Sequence, residues 1–454
     1  MDFATIDPTS GSRLEAFSYM PFAEVSHRLD GARAASRAWR DVPIAKRGDV
    51  LREVARRLRA ECEMLAATAT REMGKPIAQA RAEVLKCAMC SEYFADSAGE
   101  LLAEVAAPSN ASRSYVAFRP LGVVLAIMPW NYPYWQVFRA AAPALMAGNA
   151  LVLKHAENTT RCALELERIF REAGAPADLF ATILFSNEAT DALIADDRIA
   201  AVTLTGSERA GIAVGSAAGA ALKPSVLELG GSDAFVVRAD ADLDATAKAA
   251  VTARFQNNGQ SCIAAKRFIV VDAIYDAFLE RFVANAAALA LGDPVDGATG
   301  LGPVARADLR DTLHAQVRAT VDAGATLALG GAPLDRAGYF YQATIVADVV
   351  AGMRMFDEEV FGPAAAVIRA RDDDHAIELA NATTFGLGGS IWTTDVAEGE
   401  RLAGRLECGC AFVNAIVASD PRLPFGGIKR SGYGRELSAF GLHEFVNIQT
   451  VSIG

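Results

Sequence analysis

The chain has 454 residues, 52% of them hydrophobic, and a formal net charge of −11 at pH 7. This length predicts two or three domains, each able to bury a sizeable core. The acidic balance argues against a nucleic-acid partner, because binding to phosphates requires clustered positive charge.

Cysteine usage predicts reduced thiols and a cytoplasmic location. The seven cysteines are odd in number and irregularly spaced, which does not fit a disulfide framework. The pairs Cys87/Cys90 and Cys408/Cys410 have neither further cysteine pairs nor histidines nearby, so we predict no metal site. The amino-terminal sequence lacks a signal-peptide pattern, and the apolar stretch 120–129 is too short to cross a bilayer. We therefore expect no membrane partner.

The pattern of apolar residues changes along the chain. Residues 21–104 show helical spacing and predict long helices, and residues 113–119 alternate like an exposed strand. From residue 120 onward, short apolar strands alternate with helices, which is typical of a parallel sheet covered on both faces. The predicted strands are 121–127, 150–153, 181–185 and 200–204, and the predicted helices are 136–146, 162–173 and 188–195.

A second series of the same kind runs from residue 234 to about 413. Its predicted strands are 267–271, 326–329, 364–368 and 389–393. We therefore predict an α/β fold with two doubly wound parallel-sheet domains, with the segment 228–231 near the hinge between them.

The final segment, 444–452, alternates again and is expected to pair with the strand at 113–119. We interpret these two segments as a small β extension used for oligomerisation. Unpaired edge strands favour aggregation, and a partner subunit would cover them. The expected assembly is a homodimer or homotetramer.

Cys262 and Glu228 carry the most chemical information. Cys262 follows Gly259 and small polar residues, in a turn where a substrate can approach the thiol. Glu228 heads a Glu-Leu-Gly-Gly turn 34 residues earlier, which can direct its carboxylate into a cleft. Together they offer a nucleophile and a general base, which can form a thioester and then hydrolyse it. A lone cysteine is more often a small buried apolar residue, so this interpretation depends on the neighbouring motifs.

Seven motifs occur in a characteristic order over nearly the whole chain. They are residues 129–133 (PWNYP), 154–157 (KHAE), 205–211 (TGSERAG), 228–231 (ELGG), 259–262 (GQSC), 359–363 (EVFGP) and 424–432 (PFGGIKRSG). In this order the motifs resemble the NAD(P)-dependent aldehyde dehydrogenase superfamily. The resemblance implies a small-molecule aldehyde as substrate. It assigns 1–110 and 121–229 to an NAD-binding domain, 230–430 to a catalytic domain, and 111–120 and 440–454 to oligomerisation.

The resemblance also assigns catalytic roles. Cys262 is expected to attack the aldehyde carbon and form a thiohemiacetal. The Asn131 side chain and the Cys262 backbone N–H would then stabilise the negative oxygen. After hydride transfer leaves a thioester, Glu228 would activate the water that releases the acid.

The cofactor residues follow from the same resemblance. Backbone amides at Gly206 and Ser207, where a strand leads into a helix, are expected to bind the pyrophosphate, although the usual G-x-G-x-x-G fingerprint is absent. Lys154 and Glu157 would face the adenosine ribose. A carboxylate there accepts from ribose hydroxyls and repels a 2′-phosphate, so we predict NAD, with NADP possible but less preferred.

Three further residues belong to the expected cofactor site. Glu359 would bind the nicotinamide ribose, with the adjacent Glu358 as the alternative if the register differs by one. Phe361 would pack near the nicotinamide ring, and Trp130 is assigned to the same site.

Within the superfamily, the chain is similar to bacterial succinate-semialdehyde dehydrogenases, notably at 71–76 (REMGKP) and 434–438 (GRELS). Arg139 is expected on a helix lining the substrate tunnel, where it could hold a carboxylate, and Ser419 matches a hydroxyl used on that carboxylate. Many such enzymes carry a second arginine where this chain has Gln256. We therefore predict oxidation of succinate semialdehyde, with broader aldehyde specificity as the alternative.

Two other readings are less consistent with the motifs. A CoA-acylating dehydrogenase would usually lack the carboxylate at Glu228. A non-enzymatic binding role would predict loss of Cys262, Asn131 or Glu228, and all three are present.

Overall fold

The computed structural model describes residues 2–454 and begins with a hairpin followed by four helices. The elements are β1 (Asp2–Ile6), β2 (Arg13–Ser18), α1 (Phe22–Trp39), α2 (Ile44–Ala60), α3 (Cys62–Met73), α4 (Ile77–Leu101), β3 (Val105–Ala106) and β4 (Arg113–Pro120). The prediction of long helices over 21–104 is confirmed. The sequence did not indicate the hairpin β1–β2, whose strands bury neither face completely.

The first large sheet is built from the next strand-and-helix series. Its elements are β5 (Val123–Met128), α5 (Trp135–Ala147), β6 (Ala150–His155), α6 (Thr160–Glu172), β7 (Phe180–Thr182), α7 (Thr190–Ala195), β8 (Ile199–Thr205), α8 (Glu208–Ala220) and β9 (Ser225–Glu228). Strands β5 to β9 pair in parallel in the order β9-β8-β5-β6-β7. The residues of these strands are mostly apolar and nearly all buried because helices cover both faces.

The second large sheet follows after the turn at 229–232. Its elements are β10 (Asp233–Val237), α9 (Leu243–Phe255), β11 (Ala265–Val271), α10 (Tyr275–Ala287), α11 (Ala307–Asp322), β12 (Thr326–Leu329), β13 (Thr344–Ala347), α12 (Arg354–Asp357), β14 (Ala364–Ala370), α13 (Asp373–Asn381), β15 (Gly388–Trp392), α14 (Val396–Ala403) and β16 (Cys410–Val413). The order is β12-β13-β14-β11-β10-β15-β16, parallel except for the edge strand β12. The predicted two-sheet α/β fold is confirmed.

Side-chain alternation places separate cores on the two faces of the second sheet. Val236 and Ile269 belong to one buried cluster, and their neighbours Phe235 and Phe268 belong to the other. Successive residues of a strand point to opposite faces, so a continuous apolar run fills both cores. A larger cluster packs helices α1 to α6 against the first sheet. The predicted domain bounds stay predictions.

The carboxyl-terminal region connects the sheets. It contains β17 (Gly432–Tyr433), α15 (Ser438–His443) and β18 (Val446–Ile453). β17 pairs with β9 and extends the first sheet. β18 pairs antiparallel with β4 along its full length, as predicted from the alternating patterns. β18 is an edge strand, and its Ile448 is 61% exposed, so a partner subunit could cover it. Assembly of a homodimer or homotetramer through this strand stays a prediction.

The site lies where the first sheet passes into the second. Glu228 ends β9, and the turn at 229–232 leads directly into β10. The carboxyl ends of parallel strands are where such sheets collect functional side chains. No helix within residues 2–454 is both long enough and apolar enough to cross a membrane.

Candidate active site

Cys262 lies in the turn between α9 and β11, and the backbone before it is strained. Asn257, Asn258 and Gly259 have φ angles of 56°, 56° and 70°, a region that side-chain-bearing residues rarely adopt. Buried hydrogen bonds hold the two asparagines there. The Asn258 amide donates to the carbonyls of Gly74 at 2.8 Å and Pro303 at 2.9 Å. The turn is therefore held rigidly in front of the nucleophile.

Arg254 holds the same turn through its carbonyl groups, and no motif in the sequence predicted this contact. Its fully buried guanidinium donates to the carbonyls of Gly259 at 2.5 Å, Gly362 at 2.7 Å and Ala265 at 3.0 Å. Burial lowers its pKa to about 9. An arginine in a helix usually indicates a solvent-exposed position, so nothing local identified this contact.

The Cys262 thiol opens onto a cavity of about 560 Å³ and is partly exposed within it. Burial raises the pKa of this thiol to about 12, against the opposing effect of Arg139 and Lys266. The resting nucleophile is therefore a thiol at neutral pH, and it must lose its proton as it attacks. The Lys266 amine donates to the carbonyls of Ser261 at 2.9 Å and Cys262 at 2.6 Å, which fixes the peptide of the nucleophile.

Asn131 lies in the loop between β5 and α5 and packs against the nucleophile turn. Its amide nitrogen donates to the Gln260 carbonyl at 3.1 Å, two residues before Cys262. Its own backbone carbonyl accepts from the Asn257 amide at 2.9 Å. A side-chain amide has two N–H donors, so one remains for an oxygen developing negative charge.

Glu228 is 1% exposed and lies beside a second buried carboxylate, Glu436. Neither Glu228 oxygen has a hydrogen-bond partner within the described part of the chain. Burial, followed by the negative charge of Glu436, raises the Glu228 pKa well above its usual range. Gly426 leaves room for the carboxylate, since a Cβ there would lie 2.7 Å from Glu228 Oε1. Glu228 is thus a desolvated carboxyl group of the kind that serves as a general base.

Arg139 lies on α5, every residue of which is buried. Its Nε is 2.7 Å from Glu436 Oε2, and its Nη2 donates to the Thr205 hydroxyl at 3.2 Å. The guanidinium also lies 4.6 Å from the centre of the Phe425 ring. Arg139 lines the cavity of Cys262 as expected, but an internal carboxylate balances its charge. Its contact with a substrate carboxylate stays a prediction.

Ser419 lines the same cavity as Cys262, and so does Gln256. The Ser419 hydroxyl accepts from Trp135 Nε1 at 2.9 Å and from the Lys86 amine at 3.1 Å. No motif in the sequence identified Lys86 or Trp135 as site residues. The available signal was the position of Lys86 on α4, four residues before the buried Cys90, at helical spacing.

A second cavity, of about 500 Å³, contains the predicted adenosine-side residues. Lys154 and Glu157 line it, and Gly206 forms the wall where β8 leads into α8. The Lys154 amine donates to Asn187 Oδ1 at 2.6 Å. Ser207 is the N-cap of α8, and its hydroxyl accepts from the Ala210 amide at 3.3 Å. The structure thus brings these four predicted residues to one region.

Glu359, rather than Glu358, points toward the nucleophile region. Glu359 Oε1 accepts from the Gly231 amide at 3.0 Å and lies 3.7 Å from Lys266 Nζ. Glu358 is instead engaged by Arg354 at 2.7 Å.

The aromatic rings of Trp130 and Phe361 meet edge to face, with centroids 5.8 Å apart. Both predicted aromatic residues of the cofactor site therefore lie together. Across residues 2–454, no group of three or more His, Cys, Asp or Glu side chains is placed to hold a metal ion.

Comparison with known proteins assigns the family. Residues 1–451 match the sequence model of the aldehyde dehydrogenase family. The chain belongs to the aldehyde dehydrogenase family.

Two bacterial relatives of this aldehyde dehydrogenase are each 50% identical to it. One is the succinate semialdehyde dehydrogenase [NAD(P)+] of Escherichia coli strain K12, matched over 98% of this chain and 97% of the relative. The other is the succinate-semialdehyde dehydrogenase [NADP(+)] 1 of Mycobacterium tuberculosis strain H37Rv, matched over 100% of both chains. A crystal structure of the succinic semialdehyde dehydrogenase of Streptococcus pyogenes in complex with NADP+ superposes with a TM-score of 0.97, at 37% identity and 99% coverage of both chains.

The aldehyde dehydrogenase site fits a nicotinamide dinucleotide. The 500 Å³ cavity combines an amine donor, Lys154, with a carboxylate acceptor, Glu157, which suits ribose hydroxyls. Gly206 leaves the cavity wall free of a side chain next to the amino terminus of α8, which favours a phosphate. The roles predicted for individual residues stay predictions.

Proposed function

We propose that this aldehyde dehydrogenase oxidises succinate semialdehyde to succinate, with water as the acyl acceptor. The observation that carries the proposal is a single cavity lined by the Cys262 nucleophile and by a polar group around Ser419. Full-length relatives at 50% identity that are named for this substrate support it.

In this proposal the residues of the chain act in sequence on the substrate. The Cys262 thiol gives its proton to water in the cavity, and the thiolate adds to the aldehyde carbon. The free N–H of Asn131 donates to the oxygen that becomes negative. A bound nicotinamide supplies the hydride acceptor for the oxidation. Glu228 then takes a proton from water, and the resulting hydroxide releases the acid from Cys262.

We infer that both NAD and NADP serve as cofactor, with NADP used at least as well as NAD. The comparisons do not support the predicted preference for NAD, since the relatives are named for NADP(+) or NAD(P)+. The Glu157 carboxylate accepts a hydrogen bond from the Tyr19 hydroxyl, which occupies part of its acceptor capacity. The Lys154 amine lines the same cavity and favours a 2′-phosphate. Arg306 lines the cavity too, but Asp308, 2.7 Å away, already balances its charge.

Replacing Lys154 with alanine should lower kcat/KM for NADP more than for NAD. The amine has a stronger attraction for a 2′-phosphate than for a hydroxyl, so we expect the NADP-to-NAD ratio to fall roughly tenfold, about 1.4 kcal/mol. Steady-state assays with each cofactor measure the ratio. The exposed Lys46→Ala on α2 is the matched control. An equal loss of kcat/KM for both cofactors would show that Lys154 does not distinguish a 2′-phosphate from a 2′-hydroxyl.

A broad-specificity aldehyde dehydrogenase is the second candidate function. Two observations favour it: Gln256, a neutral residue, lines the cavity, and the charge of Arg139 is balanced by Glu436. Both reduce the positive charge available for the carboxylate of a semialdehyde.

Comparing succinate semialdehyde with butanal, a neutral aldehyde of the same chain length, separates the two functions. We expect kcat/KM for the acid to exceed that for butanal by roughly tenfold or more, because a carboxylate bound in a partly dry cavity forms charge-assisted hydrogen bonds. Equal values would favour the broad-specificity enzyme. The same reactions run with and without CoA should yield succinate in both cases, and a CoA thioester would contradict the role of Glu228.

A further inference from the structure

Four charged side chains line the cavity that contains Cys262, and three of them are already engaged. Arg139 is paired with Glu436 at 2.7 Å. Glu83 is paired with the buried Lys75. One oxygen of Asp233, Oδ1, accepts from the Gly388 amide at 3.0 Å, and the other has no hydrogen-bond partner within the described chain. The fourth is the Lys86 amine, which has no carboxylate within 4.0 Å anywhere in residues 2–454.

Lys86 is held in place without losing its charge. Its amine lies 4.4 Å from the centre of the Trp135 ring and donates to the Ser419 hydroxyl at 3.1 Å. Both contacts are with neutral groups, so they orient the cation but do not neutralise it. The nearest acid along the chain from Ser419 is Asp420, and this carboxylate is paired with Arg422 at 2.6 Å. The amine therefore presents net positive charge to the cavity.

The hydrogen bonds of Ser419 determine where its proton points. A hydroxyl has two acceptor lone pairs and one donor. Both the Lys86 amine and Trp135 Nε1, which can only donate, bond to this oxygen, at 3.1 Å and 2.9 Å. Its acceptor positions are thus occupied, and its O–H remains for an acceptor in the cavity. The amine and the hydroxyl together present at least two donors and one positive charge at the same place.

We propose that Lys86 is a specificity-determining residue that binds the distal carboxylate of the aldehyde substrate together with the Ser419 hydroxyl. This inference rests on the proposed function and identifies the cation that the function requires. It places the anionic end of the substrate at α4 and its aldehyde end at Cys262, both on the wall of one cavity. The internal pair Arg139–Glu436 then shapes the cavity beside this carboxylate site.

The partial burial of Lys86 fits this role. Burial, followed by the nearby charge of Arg139, lowers the pKa of the amine to about 8, while Cys87, Cys90 and Asp420 oppose the shift. The amine is therefore still mostly protonated at neutral pH. A bound carboxylate would stabilise the protonated form further.

The test compares Lys86→Met, which keeps the length of the side chain and removes the charge, with Lys86→Arg, which restores a cation. We expect Lys86→Met to lower the ratio of kcat/KM for succinate semialdehyde over butanal at least tenfold, mainly through KM for the acid. A carboxylate contact made equally in the ground state and the transition state changes KM rather than kcat. Lys86→Arg should recover most of the ratio, and the exposed Lys46→Met on α2 should leave it unchanged.

The outcomes separate this inference from the proposed function. If the wild type prefers succinate semialdehyde and Lys86→Met keeps that preference, the proposed function stands and the assignment of Lys86 is wrong. A loss of preference in Arg139→Met alone would move the carboxylate site to Arg139. If the wild type does not prefer the acid, both proposals are wrong. Thermal unfolding of each variant identifies any that fail to fold. If a variant does not fold, competitive inhibition of the wild type replaces it: succinate and butyramide are compared as inhibitors of butanal oxidation. Equal inhibition by the two would overturn a carboxylate site.

Discussion

Cys262→Ser should lose aldehyde oxidation by at least roughly a thousandfold while still binding NAD(P)H. A serine hydroxyl is a far weaker nucleophile than a thiol, and the burial of this position raises the cost of forming an anion there. Cys262 does not line the cavity that contains Lys154 and Glu157, whose side chains bond to Asn187 and Tyr19 instead. Steady-state NAD(P)H formation measures the first effect, and titration of NAD(P)H fluorescence measures the second.

The matched control for this variant is Cys62→Ser. Cys62 is also a partly exposed free thiol, but it lies at the start of α3, and its only polar contact within the described chain is with the Arg81 carbonyl. We expect full activity from this variant. Retention of more than a tenth of wild-type turnover in Cys262→Ser would show that another group attacks the aldehyde.

Glu228→Gln should release one equivalent of NAD(P)H per site in a rapid burst and then stall. Glutamine keeps the size of the side chain but cannot take a proton from water, so the acyl group stays on Cys262. General-base catalysis contributes roughly a hundredfold to ten-thousandfold, and we expect the steady-state rate to fall by that order. Stopped-flow absorbance measures the burst, and intact-protein mass spectrometry detects the acyl group on Cys262.

The pH dependence provides an independent check on Glu228. Its pKa is raised above the usual range by burial and by Glu436, and only its deprotonated form acts as a base. The steady-state rate of the wild type should therefore increase as the pH rises through that raised pKa. The slow residual rate of Glu228→Gln should lack this increase. Full steady-state turnover in Glu228→Gln, without a burst, would contradict the assigned role.

The order of strands and helices and the identity of the two reacting groups could be predicted from the sequence. Strand and helix periodicity is a local property, so most parallel strands of both sheets and the pairing of β18 with β4 followed from the pattern of apolar residues. Strands β9, β13 and β16 were not among the predicted strands, and the predicted strand β12 pairs antiparallel at the edge of its sheet. Cys262 and Glu228 were identified by their residue types and by the glycines beside them. The hairpin β1–β2 was missed because neither of its strands buries a complete face.

The balance of charge in the site was decided only by the tertiary structure. From the sequence, Arg139 is expected to be an unpaired cation, but in the folded protein Glu436 Oε2 lies 2.7 Å from its Nε. From the sequence, Glu157 is expected to be an unpaired carboxylate, but the Tyr19 hydroxyl donates to it. Tyr19 lies in the segment after the hairpin. Each of these pairs joins residues more than a hundred positions apart in the chain.

Lys86 shows the reverse case. From the sequence it is one charged residue in a helix. In the folded protein it has no carboxylate within 4.0 Å among residues 2–454, and it faces the cavity of Cys262. The sequence by itself determined which chemical groups are present and which elements carry them, because both depend on neighbours along the chain. Only the tertiary structure decided which of those charges are neutralised and which remain for a substrate, because that depends on burial and on contacts between distant segments.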